Sequence, residues 1–266
     1  MSLRLPAEHG AWGMLAVPFF SAAAVANRWN WPLLLCGACA LALYLLRGSI
    51  EAQGGNWKLL LVPTHLAFAA VAALSAAALL VVYQRYGLIV VGALGTFLYG
   101  LQHWHVAQHN EQHTEKRSLA AELVGVGLLS LTAPAAWIAS RGRMDAIGTQ
   151  VWLLNLAFFV GGVLYVKYRV RGLQTHREFT GGRERLVFAW PVIVYHLLLV
   201  VFLVAWVWVE PRSVAMLVAF TPGVLRAGGL LFQLGHRFPI KRLGWTEVAH
   251  AVVFAALLVL AFHVKG

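Results

Sequence analysis

Residues 186–209 read LVFAWPVIVYHLLLVVFLVAWVWV, and no Asp, Glu, Lys or Arg interrupts them. An α-helix rises about 1.5 Å per residue, so about 20 such residues cross the hydrocarbon layer of a bilayer. Comparable runs recur along the whole 266-residue chain. They predict about nine spans, at residues 11–27, 32–47, 59–83, 86–104, 119–139, 150–168, 186–209, 213–234 and 245–263. In lipid, every backbone N–H and C=O needs a partner inside the protein, which leaves helices or closed barrels. Barrel strands alternate over about ten residues, and these runs are far longer. The expected fold is all-α: a polytopic transmembrane helical bundle, one integral membrane domain over residues 1–266. Composition agrees, with 60% hydrophobic and 12% charged residues, where a soluble domain carries about 25% charged.

Loop charge sets the expected orientation. Arg4, Arg47, Lys58, Lys116, Arg117, Lys167, Arg169, Arg171, Arg177, Arg183, Arg185, Arg237, Lys241 and Arg242 fall on one side, with Arg226 nearer that side. Arg28, Arg85, Arg141, Arg143, Arg212 and Lys265 fall on the other. Cytoplasmic loops carry the excess of Lys and Arg. The N-terminus is therefore expected in the cytoplasm and, after nine spans, the C-terminus outside. The opening MSLRLPAEHG has a single Arg, and the span after it has no A-x-A exit, so no cleaved leader is expected. The net charge of +11 points to the lipid bilayer and its anionic lipids as partners, not to nucleic acid. The tryptophans fall near proposed span ends, where an amphipathic indole prefers to sit.

The long polar segments all lie on the cytoplasmic side, so binding or chemistry is expected there. VKYRVRGLQTHREFTGGRER, residues 166–185, is the richest in cations. It reads as a topology anchor or as a cradle for phosphates, since guanidinium forks match phosphate oxygens in pairs. Within the spans, Glu122, His196, Arg226, Glu247 and His250 are costly unless they face a polar interior. Arg226 follows the sequence TPG at 221–223, read as a helix break, and an ion pair with Glu122 or with Glu247 is expected. Glu247 and His250 share a face at i, i+3, but no second such motif completes a di-iron site. CGAC at 36–39 lies inside a span and reads as small-residue packing rather than a redox motif.

HWHVAQHNEQHTEKR, residues 103–117, places His105, His109 and His113 at i, i+4, i+8. They share one face if the fourth helix continues past Trp104. That face is a wet helix extension, a proton-handling or ligand-contacting surface, or part of a metal site.

The stretch LPAEHGAWGMLAVPFF resembles the opening of the YwiC-like family of bacterial integral membrane proteins. The matching residues are Pro6, Glu8, His9, Gly10, Ala11 and Trp12. Chain length, span count and EKRSLAAEL at 115–123 fit the same family. The resemblance implies an architecture and a bacterial cytoplasmic membrane rather than an activity. In topology the chain is also similar to the UbiA-type prenyltransferases, which hold an isoprenoid diphosphate through Mg²⁺ on two Asp-rich motifs. Here RGSIEAQGGNWK offers one carboxylate, Glu51, and VKYRVRGLQTHRE offers bases. Mg²⁺ takes one or two carboxylates besides phosphate and water, so no Mg²⁺ site of that kind is expected and no other cofactor is indicated.

Together these features predict a cytoplasm-facing basic cavity that binds, or transfers, an isoprenoid- or phospholipid-like anionic ligand. The expected contacts are His9, Arg47, Glu51, Lys167, Arg169 and Arg171. An enzyme on this plan would be a prenyl or lipid transferase lacking the Asp-rich motifs. Two alternatives stand beside it: a non-enzymatic small-molecule transporter or exporter, and a metal or haem membrane protein using the histidine cluster.

Overall fold

The computed structural model describes residues 9–51, 53, 62–111, 119–174, 181–209, 214–234 and 238–264. Among the described residues every regular element is helical: α1 (His9–Ala26), α2 (Trp31–Glu51), α3 (Pro63–Ala77, continued by a π-helical turn at Ala78–Val82), α4 (Gly87–Glu111), α5 (Leu119–Ser130), α6 (Thr132–Arg141), α7 (Ala146–Gln174), α8 (Gly182–Val209), α9 (Val214–Gln233) and α10 (Ile240–Val264). These helices follow the expected spans in order, with α5 and α6 sharing one. Among the described residues, seven stretches are long and apolar enough to cross a bilayer, and α1 is apolar but shorter.

The chain packs as two compact units. The first holds residues 1–99 and 128–152. In it α2 packs on α3 and on α6, and α1 packs on α6. Short polar residues set its helix ends. Asn27 adopts a left-handed backbone (φ 48°) and closes α1 by donating its N–H to the Ala23 and Ala24 carbonyls, the usual way an Asn ends a helix. Asn30 accepts the Leu33 N–H on its side-chain oxygen at 3.1 Å, capping α2. Its amide donates to the Ser140 carbonyl at 2.9 Å and ties that cap to α6. Gly142 ends α6 at φ +92°, a conformation that costs glycine least. Asp145 caps α7 by accepting the Gly148 N–H at 2.9 Å.

Two local expectations change. The fifth span is not one helix: it turns at Leu131, and the Thr132 hydroxyl contacts the carbonyls of Leu129 (3.0 Å) and Leu15 (2.9 Å). Conversely, TPG does not break its helix. The α9 helix runs through Pro222, and the Thr221 hydroxyl donates to the Leu217 carbonyl at 2.8 Å beside the missing N–H.

The second unit holds residues 100–127 and 153–266. Its core joins four helices through Leu164 and Tyr165 of α7, Ala189 and Val192 of α8, Ala227 and Leu230 of α9 and Leu243 of α10. Phe254 of α10 stacks on Phe158 at 4.0 Å between ring centroids and meets Phe220 edge-on.

Candidate functional site

The second unit carries its ionisable groups on facing helices. At the end formed by the last turns of α7 and α9 and the first turns of α8 and α10, Arg169 donates to the Gln233 main-chain carbonyl and lies over the Phe238 ring at 4.3 Å. Arg185 donates to the Leu231 carbonyl at 3.2 Å. Arg171 lies 5.7 Å from the Tyr168 ring centroid. Arg183, Lys241 and Arg242 are exposed. Lys167, its side chain buried, meets Glu122 of α5 at 2.7 Å.

Deeper in the same unit, Arg226 of α9 pairs with Glu247 of α10. Both side chains are largely buried, 10% and 17% exposed. The guanidinium lies over the Tyr165 ring at 4.3 Å, and the Tyr165 hydroxyl donates to Gln233 Oε1 at 2.9 Å. A continuous polar chain thus runs from Arg169 and Gln233 at the helix ends to Tyr165, Arg226 and Glu247. It borders a narrow cleft lined by Gly161, Gly162, His196, Phe220, Gly223 and Arg226, among others. His196 is buried, with Nδ1 2.7 Å from the Val192 carbonyl. A carbonyl only accepts, so Nδ1 donates and Nε2 is the acceptor nitrogen of the neutral ring. Arg226 Nε is buried without a hydrogen-bond partner among the described residues.

Of the two pairs expected for Arg226, the one with Glu247 forms, and Glu122 is taken by Lys167 instead. His250 turns Nδ1 to the Thr246 carbonyl at 2.6 Å, one turn from Glu247 on its own helix. In the first unit Arg47 and Glu51 pair with each other at 2.8 Å, and Arg47 lies 4.9 Å from the Tyr99 ring centroid. The α1 helix begins at His9, and α4 continues past Trp104 to Glu111, the condition for a shared histidine face. The side chains of His9 and His109, and all of His113, Pro6 and Glu8, lie outside the described residues. Cys39 directs its thiol to the Ala72 carbonyl at 3.5 Å, a contact between packed helices.

Sequence reasoning missed Tyr165 and Gln233, which look like ordinary residues of an apolar helix and its edge. It also missed a fully buried contact in the first unit, Ser49 Oγ to His65 Nε2 at 2.8 Å, with Gln53 on the same hydroxyl at 3.2 Å. A lone His after Pro63-Thr64 gives no sign of which helix it meets.

Long apolar helices, short polar caps and charges paired between helices define a multi-pass helical membrane protein. The YwiC-like protein family matches residues 5–137. The chain belongs to that family. It is 24% identical to an uncharacterized protein of Haemophilus influenzae over 98% of this chain and 99% of that one. It is 26% identical to the uncharacterized protein YwiC of Bacillus subtilis over 98% of each. No solved structure matches.

Proposed function

We propose that this membrane protein binds a ligand with an apolar chain and a phosphate-like anionic head at the basic end of its second unit. One observation carries the reading: α7, α8 and α10 carry Lys167, Arg169, Arg171, Arg183, Arg185, Lys241 and Arg242 at one end of that unit, against Glu122 and Glu184. A guanidinium already seated on a carbonyl and an aromatic ring, as Arg169 is, has its fork fixed before a head group arrives. Prepositioning of that kind lowers the entropic cost of binding. The positive-inside pattern supports a cytoplasmic location for this end, with the N-terminus inside and the C-terminus outside a bacterial cytoplasmic membrane. For the first unit by itself, His9, Arg47 and the Arg47 partner Glu51 are a separate proposed ligand contact.

The test uses the full chain purified in neutral detergent. It is titrated with farnesyl diphosphate and with phosphatidic acid, and with phosphatidylcholine and inorganic diphosphate as controls. Chain-bearing anions should bind well above both controls, and R169A/R171A should weaken them by about tenfold, the loss of one to two charge-assisted hydrogen bonds. Preference for farnesyl diphosphate over phosphatidic acid would identify an isoprenoid ligand, and the reverse a glycerolipid. Equal response to all four compounds would remove the reading.

A further inference from the structure

The Arg226–Glu247 pair is not needed to anchor the loops. By helix rise it lies about 10 Å below the Gln233 end of α9, where a charged side chain is costly. Three features of its surroundings are unlike a pair that serves packing alone. Arg226 lines the cleft and also meets the Glu247 carboxylate, which does not line it. Its Nε–H is buried with no acceptor among the described residues, and an unpartnered buried donor points to a group that belongs there. Gly162 leaves room beside the pair: a Cβ built on it would stand 3.7 Å from Glu247 Oε2 and 4.0 Å from Arg226 Nη2, ordinary contact.

We propose that Arg226 is an anion-binding residue within this cleft, and that Glu247 takes up one proton when the anion arrives. This inference rests on the proposed function and adds the group that binds the head and the ion that accompanies it. In the ligand-free protein Glu247 neutralises the guanidinium. A second anion beside it would leave an uncompensated negative charge in a low-dielectric setting, at a cost of several kcal/mol. Protonation removes that charge. The Glu247 carboxylate accepts a proton from solvent and becomes a neutral acid. The Arg226 N–H that faced it turns to the incoming oxygen, and the guanidinium keeps its charge throughout. The proton that enters with the anion offsets one of the head group's negative charges. The polar chain from Arg169 through Gln233 and Tyr165 connects this point with the basic end. The other groups around the pair are Tyr165 and Arg169 from α7, His196 from α8 and His250 from α10 itself.

The experiment is calorimetric titration of the full chain with farnesyl diphosphate, in buffers of different ionisation enthalpy and across the neutral to mildly acidic range. Comparing wild type with E247Q cancels protons exchanged by the ligand and by His196. Wild type should take up one more proton per ligand than E247Q. Its affinity should rise as pH falls, by up to about tenfold per pH unit. E247Q should bind at neutral pH as tightly as wild type does in acid. E247D keeps the charge and covers the case in which E247Q does not fold. Its uptake should centre at lower pH, since an aspartate is the stronger acid. Equal proton uptake in wild type and E247Q, or an unmoved profile in E247D, overturns the linkage and leaves anion binding standing. No binding by wild type at any pH removes both.

Discussion

Thr132 and Arg141 in the first unit donate to main-chain carbonyls of α1, those of Leu15 and Ala26. Lys167 and Arg226 in the second meet carboxylates on other helices. The difference is one of chemistry and of size. A neutral hydrogen bond between membrane helices, like that of Thr132, is worth about 0.6 kcal/mol, and the charged Arg141 donor gives about 1.5–3 kcal/mol. The loss of one partner from a buried ion pair costs about 3–5 kcal/mol, because the other charge stays behind. The Thr132 contact of the first unit is therefore a small term, and the two buried ion pairs of the second are large ones. A buried carboxylate partner can also be exchanged for a charged ligand, and a main-chain carbonyl cannot.

The largest expected effect breaks the second unit's side of this comparison. Glu247→Ala leaves Arg226 buried without its carboxylate and should destabilise the full chain by about 3–5 kcal/mol, read from unfolding in detergent. The double variant E247A/R226M should recover most of that loss, since an apolar side chain of similar length replaces the guanidinium. If the double variant loses as much as the two single losses added together, the pair is not coupled and the contrast between the units fails.

A smaller effect separates two glycines. Gly148 follows the α7 cap, and a Cβ there would stand 2.5 Å from Trp137 Cδ1. The Trp137 side chain is fully buried, so the ring has nowhere to move. Gly148→Ala should cost about 1–3 kcal/mol by overpacking. Gly162→Ala, beside Arg226 and Glu247, meets only ordinary contacts and should leave thermal stability nearly unchanged. Equal melting temperatures for the two variants would show that the first unit does not depend on close packing at that point.

The part of this architecture legible in the sequence is the part set by local composition. The spans were readable because each apolar run satisfies its own backbone, whereas the α4 extension past Trp104 stood only as the condition under which the histidines share a face. The Arg226–Glu247 pair was one of two options, and choosing between them requires knowing that α9 packs on α10. The partner of Glu122, the stacking of Tyr165 under Arg226 and the Ser49–His65 contact depend on which helices meet, and no single helix encodes that. The turn at Leu131 was hidden for another reason. The residues around it are as apolar as those of a straight helix, and the deciding hydrogen bond goes to Leu15, 117 positions away. Pro222 misled in the opposite direction, because membrane helices tolerate proline and α9 runs on through it.

The smallest expected effect tests whether charge pairing as such, rather than buried pairing, distinguishes the units. Arg47 and Glu51 form an ion pair in the first unit, one turn apart on α2, with side chains 24% and 40% exposed. Water screens such a pair and the two side chains lose rotamer freedom, so exposed i, i+4 pairs are worth about 0.3–0.5 kcal/mol. Arg47 also lies over the Tyr99 ring, a contact that Glu51→Ala does not remove directly. Glu51→Ala should therefore shift stability by less than about 0.5 kcal/mol, roughly a tenth of the Glu247→Ala loss. The measurement is the same unfolding transition, repeated at low and high salt, and whatever small loss appears should fade as salt rises. A salt-insensitive loss comparable to that of Glu247→Ala would mean that this pair, too, is shielded from water. The first unit would then hold a buried charge site of its own, with Arg47 as its cation.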